Sequence, residues 1–151
     1  MKINETISAP ALPCAAAALV PQRPPMLVID RLVVRDRQAN FSVVEAAVPV
    51  EGVFVDYDNT VLPEYFIELI AQAMAAVNGY DGLVDGEEAG RGFLVGIEKF
   101  SWGRIAAVGE KLRVEIVKDY EFGPVSVMTG KVLDERGEIL ADGGIKAWEE
   151  K

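Results

Sequence analysis

The chain has 151 residues, half of them hydrophobic and 26% charged, which suits one compact domain and not a disordered segment. Lys and Arg number 15 against 24 Asp and Glu, and the resulting charge of −9 argues against a nucleic-acid surface as the main business of the protein. No histidine occurs and Cys14 is the lone cysteine, so a histidine general base, a zinc site and an intrachain disulfide are all excluded for this chain by itself.

In chain order, Ala11 to Val20 is apolar and Ala-rich, and reads as a short packed helix within an N-terminal extension covering residues 1–20. A secretory signal fits it less well, because Lys2 is followed by Glu5 and Pro13 interrupts the stretch. No run of about 18 apolar residues exists, so a transmembrane helix is not expected and a cytoplasmic location is. Met26–Arg35 and Phe41–Val48 read as two strands joined by a polar break. Gly52–Leu62 has no clear period and carries Asp56, Asp58 and Asn59.

Pro63 to about Val77 is the strong helix, with Pro63 and Glu64 suited to its first turn. Leu62, Phe66, Leu69, Ile70, Ala73 and Val77 make one apolar face, and Glu68, Ala71, Gln72 and Ala75 make a small or polar one. Asn78-Gly79 predicts its C-terminal stop, and Tyr80–Arg91 a loop. Four strands follow, over Phe93–Trp102, Lys111–Val117, Val125–Leu133 and Ile139–Trp148, and read as a meander. The sum is one α+β domain over residues 1–151, an antiparallel sheet wrapped around a single helix and covering both its sides. That is the hot-dog layout.

Three segments in order carry a family resemblance. They are Val20-Pro21-Gln22-Arg23-Pro24-Pro25-Met26-Leu27-Val28-Ile29-Asp30-Arg31, then Ile67-Glu68-Leu69-Ile70-Ala71-Gln72-Ala73 preceded by Leu62-Pro63, then Gly96-Ile97-Glu98-Lys99-Phe100 with Val108-Gly109-Glu110-Lys111-Leu112. Together they resemble the FabZ-type β-hydroxyacyl-ACP dehydratases, and more closely the aryl-polyene-associated (ApeP-like) branch. The resemblance covers residues 12 to 148 and implies a hot-dog dimer with an acyl tunnel at the subunit interface. The family's catalytic histidine falls here on Phe54, or on Val53 with a one-residue shift, and its second histidine on Gln22. The family's thioester donor is a backbone N–H at the helix start, a place taken here by Pro63-Glu64.

Dehydrating a 3-hydroxyacyl thioester needs a base for the α-proton, an acid for the departing hydroxyl, and donors on the thioester oxygen. The helix N-terminus supplies donors, and Glu68 suits the acid. The base is missing, since Gln22 does not titrate, and losing a general base costs about a hundred- to ten-thousand-fold in rate. Three repairs are open. A partner dehydratase homologue could bring the histidine to this chain's Glu68; Asp56 or Asp58 could serve as base; or Glu68 with Gln22 or Gln72 could direct water in a thioesterase. An inactive acyl-binding or scaffold subunit is the further alternative.

The resemblance implies acyl carrier protein or CoA thioesters as partners, in fatty-acid or polyene-type synthesis, and either a homodimer or a heterodimer with a homologue. It implies no cofactor and no metal. Glu64, Gln72, Phe54, Phe66 and Met26 are the candidate substrate contacts, with Ile70 and Phe93 beside them along the tunnel. Plainer readings stand next to these. Glu68 and Gln72 pair i to i+4 on a buried face, Gln22, Asp56 and Asp58 are loop residues, and Asp85, Glu87 and Glu88 form a solvated loop. Arg23, Arg31, Arg35 and Arg37 are either a dock for an acidic carrier or scattered surface charges. Cys14 is a small buried hydrophobe.

Overall fold

The computed structural model describes residues 10–87 and 91–150, the second group without the side chains of 91–94, 149 and 150. Strand β1 (Cys14–Ala15) leads into a 3-10 turn at Ala16–Ala18, then β2 (Arg31–Asp36) and β3 (Phe41–Ala47) form a hairpin. Helix α1 (Glu64–Val84) is followed by β4 (Arg91–Trp102), β5 (Lys111–Phe122), β6 (Val125–Leu133) and β7 (Ile139–Glu150). All seven strands lie in one antiparallel sheet ordered β1-β2-β3-β5-β6-β7-β4.

The clean alternation in β5 sets the core face. Leu112, Val114 and Ile116 are buried, opposite Ala46, Val44 and Ser42 of β3, which are buried too. Against them lies one face of α1, with Tyr65, Phe66, Leu69, Ile70, Ala73, Met74 and Val77 withdrawn from water. Close seating depends on Gly130 of β6, where a Cβ would come within 2.6 Å of Ile70 Cγ2. Cys14 is buried and its thiol is pushed up by that burial, as a small core residue should be.

Four sequence expectations need correcting. The helix does not stop at Asn78-Gly79 but runs on to Val84. Gly79 answers to packing, since a Cβ there would collide with the Leu19 carbonyl oxygen where the N-terminal segment crosses α1. Within Ala11–Val20 the helical part is only a three-residue 3-10 helix, Ala16–Ala18, preceded by the short β1, with residues 1–9 of the expected extension outside the described residues. The last four strands are not a simple meander, because β4 pairs with β7 at the far edge and leaves β5 to pair with β3. Period-2 alternation tells which residues face the core, and it carries no information about which edge a strand takes.

The fourth correction concerns the helix. The sheet buries one of its sides, whereas Ile67, Glu68, Ala71, Ala75 and Asn78 are only half-buried. At helical spacing these residues form a single stripe, open in the isolated chain. The outer edge of β4 is likewise unpaired among the described residues, with Val95 and Ile97 exposed. Register shifts at Leu94/Gly96 and Glu98/Ser101 interrupt the β4–β7 ladder.

Candidate active site

Gln72 is fully buried on the third turn of α1 and joins the helix to the opening motif. Its Oε1 accepts the Val28 N–H at 2.8 Å, and its Nε2 donates to the Met26 carbonyl at 2.8 Å and to Glu68 Oε2 at 2.7 Å. Only one amide orientation satisfies these partners, because a backbone N–H can only donate and a carbonyl can only accept. Both Nε2 hydrogens and the oxygen are thus committed. The i to i+4 spacing puts Glu68 one turn before Gln72, and the amide donor fixes one of its two carboxylate oxygens. Glu68 is half-buried, enters no ion pair among the described residues, and keeps Oε1 free of protein hydrogen-bond partners there.

The start of α1 leaves a donor available. Pro63 stands at the N-cap with no side-chain cap, the Tyr65 N–H goes to the Leu62 carbonyl, and the Phe66 N–H goes to Pro63. The Glu64 N–H finds no acceptor among the described residues. An unsatisfied first-turn N–H at the positive end of a helix is a ready hydrogen-bond donor for a carbonyl oxygen. Tyr65, next along the chain, is buried with its hydroxyl unpartnered among the described residues, and burial pushes its phenol well above the ordinary value. The Phe54 ring lies 5.9 Å from it between centroids and the Phe66 ring 6.2 Å.

The remaining candidates separate clearly. Gln22 is half-buried, and its Oε1 is buried without a hydrogen-bond partner among the described residues. Asp56 and Asp58 are exposed loop residues whose carboxylates accept the N–H groups of Tyr57 at 2.8 Å and Thr60 at 3.1 Å; neither bonds to the helix among the described residues. Hydrogen bonds from Thr60 hold the Asp58 carboxyl below its usual value, the wrong direction for a strong base. Phe66 and Ile70 are fully buried in the core, Phe54 is half-buried at its margin, and Met26 is exposed. The Phe93 side chain and Glu88 lie outside the described residues. Asp85 and Glu87 are exposed, and Asp85 is engaged by Arg37 at 3.0 Å. No group of three or more Cys, Asp or Glu is arranged to hold a metal among the described residues.

The arginines are not a free basic patch. Arg35 forms a two-pronged pair with Asp81, at 2.8 Å from Nε and 2.6 Å from the terminal nitrogen, with its side chain 2% exposed. Arg31 pairs with Glu45 at 3.0 Å, and Arg23 turns back onto the carbonyls of Val20 and Gln22, each at 2.7 Å. Lys118 continues the inward face of β5 and stands 3.9 Å from Asp81, completing a buried cluster at the C-terminal end of α1. Sequence reasoning missed this cluster because its pairs span tens of residues. The one available signal was Lys118 falling in phase with Leu112, Val114 and Ile116.

A family model described as ApeP-like, ApeP dehydratase, matches residues 14–151. Among solved structures, the dehydratase heterocomplex ApeI:P from Xenorhabdus doucetiae superposes with a TM-score of 0.80 at 20% identity, covering 94% of this chain and 93% of that one. The E. coli PaaI protein from the phenylacetic acid degradation operon gives 0.61 at 14% identity, over 82% and 80% of the two chains. The smu.793 protein from Streptococcus mutans, bound to acetyl CoA, gives 0.61 at 12%, over 87% and 95%. No curated protein matches the sequence. At such identities the structural likeness is one of fold, and the fold is the hot-dog. The family match spans nearly the whole chain and includes both the opening motif and the Glu68–Gln72 turn bound to it, so this chain belongs to the ApeP-like dehydratase family.

Proposed function

We propose that this protein is the glutamate-bearing subunit of a two-chain dehydratase acting on 3-hydroxyacyl thioesters, the histidine coming from a homologous partner. One observation carries the reading. Glu68 is held in a fixed pose by Gln72 on the open side of the helix, in a chain with no histidine of its own. The ApeI:P heterocomplex supports a paired arrangement, and the acetyl CoA bound by the S. mutans neighbour supports a thioester substrate. The acyl group is carried on acyl carrier protein or CoA.

In the reaction, the partner's imidazole takes the α-proton, the C–H electron pair becomes the new Cα=Cβ bond, and the β-hydroxyl leaves as water after receiving a proton. Glu68 gives that proton. Because Gln72 donates to Oε2, Oε1 is the oxygen free to meet the hydroxyl. The Glu64 N–H hydrogen-bonds the thioester oxygen as negative charge develops there. Gln72 contacts no reacting atom, so it is a positioning residue.

The test incubates the purified chain, its histidine-bearing dehydratase homologue, and the two together with 3-hydroxybutyryl-ACP and 3-hydroxybutyryl-CoA, and follows products by mass spectrometry. Enoyl thioester from the pair and none from this chain alone is the expected result. Turnover by the isolated chain at the rate of the pair would overturn the two-chain reading, and free thiol without enoyl product would make the protein a thioesterase.

A further inference from the structure

Between Arg37 and Arg91 the sequence holds ten Asp and Glu and no Lys or Arg, so the net charge of −9 is gathered in the stretch that contains α1 and the loop before it. At the C-terminal end of α1 the acids meet cations from β2 and β5. At the N-terminal end they do not. Glu51, Asp56, Asp58 and Glu64 are exposed, and none forms an ion pair among the described residues. Arg23 is turned onto backbone carbonyls, and Arg104 is committed to Glu110 at 2.7 Å and Asp134 at 3.1 Å.

The same loop exposes large apolar groups: Val50 at 65%, Val53 at 63% and Tyr57 at 97%. A lone exposed apolar residue needs no explanation. Three within eight residues, set among unpaired carboxylates and leading into the helix that carries Glu68, have the make-up of an interface, with apolar contacts and a charged rim that selects its partner. The loop is tied to the start of α1 by the Leu62 N–H on the Phe54 carbonyl at 2.9 Å and by the Phe54–Tyr65 ring contact, so it forms one surface with the first turn.

Resting on the two-chain reading, we infer that residues 50–58 and the first turn of α1 dock a cationic face of the histidine-bearing subunit. A second copy of this chain would bring together two surfaces that each carry four carboxylates without cation partners among the described residues, Glu51, Asp56, Asp58 and Glu64. An acidic carrier protein meets the same repulsion. Charge therefore favours the mixed pair over self-pairing and gives the encounter a strong salt dependence.

The test measures the dissociation constant between this chain and its histidine-bearing homologue by analytical ultracentrifugation, at about 0.05 M and about 0.5 M NaCl, salt levels that straddle weak and strong screening. Wild-type affinity should weaken by about tenfold or more at the higher salt. Glu51→Lys should weaken binding about fivefold at low salt and match wild type at high salt, while Tyr57→Ala weakens it at both. Glu51 has no side-chain partner among the described residues, and thermal melts check that both variants fold. A complex with salt-independent affinity, unchanged by Glu51→Lys, removes the docking face and leaves the two-chain reading standing. No complex at either salt removes both, and self-association of this chain tighter than the mixed pair also overturns the inference.

Discussion

At the C-terminal end of α1, Asp81 meets Arg35 at 2.6 Å and Lys118 at 3.9 Å, and Arg37 reaches Asp85 at 3.0 Å. At the N-terminal end, Glu51, Asp56, Asp58, Glu64 and Glu68 have no cation paired with them among the described residues. One helix therefore carries paired acids where it is locked to β2 and β5, and acids without cation partners among the described residues toward its N-terminal end. Pairing marks the end whose task is to stay folded. At the other end, carboxylates left without counterions cost little while water reaches them, and they are available for a proton transfer or a second subunit.

Asp81 is the residue on which the paired end depends most. Asp81→Ala would strand a buried guanidinium and ammonium, at an expected cost of about 3–5 kcal/mol in urea unfolding. The double variant Arg35→Met/Asp81→Leu should recover most of it, because replacing a buried pair by apolar groups is often near neutral. A loss under about 1 kcal/mol for the single variant would mean that the cluster holds nothing together.

Gln72 sits at the other end, and its removal should be felt twice. Gln72→Ala leaves the Val28 N–H and Met26 carbonyl without partners, costing about 1–3 kcal/mol. It also frees the Glu68 carboxyl, so turnover of the pair should fall and its pH profile move. Unchanged turnover and pH profile would reduce Gln72 to a structural strut. Gly79→Ala tests where the N-terminal segment crosses the helix. The added Cβ meets the Leu19 carbonyl, with an expected loss of about 1–3 kcal/mol, whereas the same change at an open helix site is usually stabilising.

The smallest effect concerns pH. Arg104 beside Glu110 holds that carboxyl below its ordinary value. A depressed folded-state value stabilises the protein at pH above the unfolded carboxylate value, and the gain disappears as pH falls through the depressed one. Arg104 is partly exposed, so screening keeps the Glu110 share to at most about 1 kcal/mol. Acid titration of stability should be shallower in Arg104→Gln than in wild type, and identical slopes would contradict the assignment.

How much of this was legible in the sequence follows from the range of each interaction. Glu68 and Gln72 are one turn apart, and their pairing could be read from spacing alone. The helix start at Pro63-Glu64 and the inward face of β5 are equally local signals. What was misread depended on distant chain. Gly79 looked like a helix stop because its purpose lies with Leu19, sixty residues earlier in sequence. The arginines read as either a docking patch or scattered surface charges, and the buried pair was hidden because Asp81, which binds Arg35, is 46 residues away. The pairing of β4 with β7 was hidden for the same reason, since alternation is indifferent to the neighbouring strand.

On the two-chain reading, one active site is divided between this chain and its partner. Its most direct test is a mutant cycle on the complex with the histidine-bearing homologue, combining Glu68→Gln here with His→Ala at the partner's catalytic histidine. If the two groups act in one site, each change alone should lower dehydration by about a hundredfold or more, and both together hardly further. A Glu68→Gln complex that keeps half or more of its turnover would mean that the partner works without this chain's glutamate.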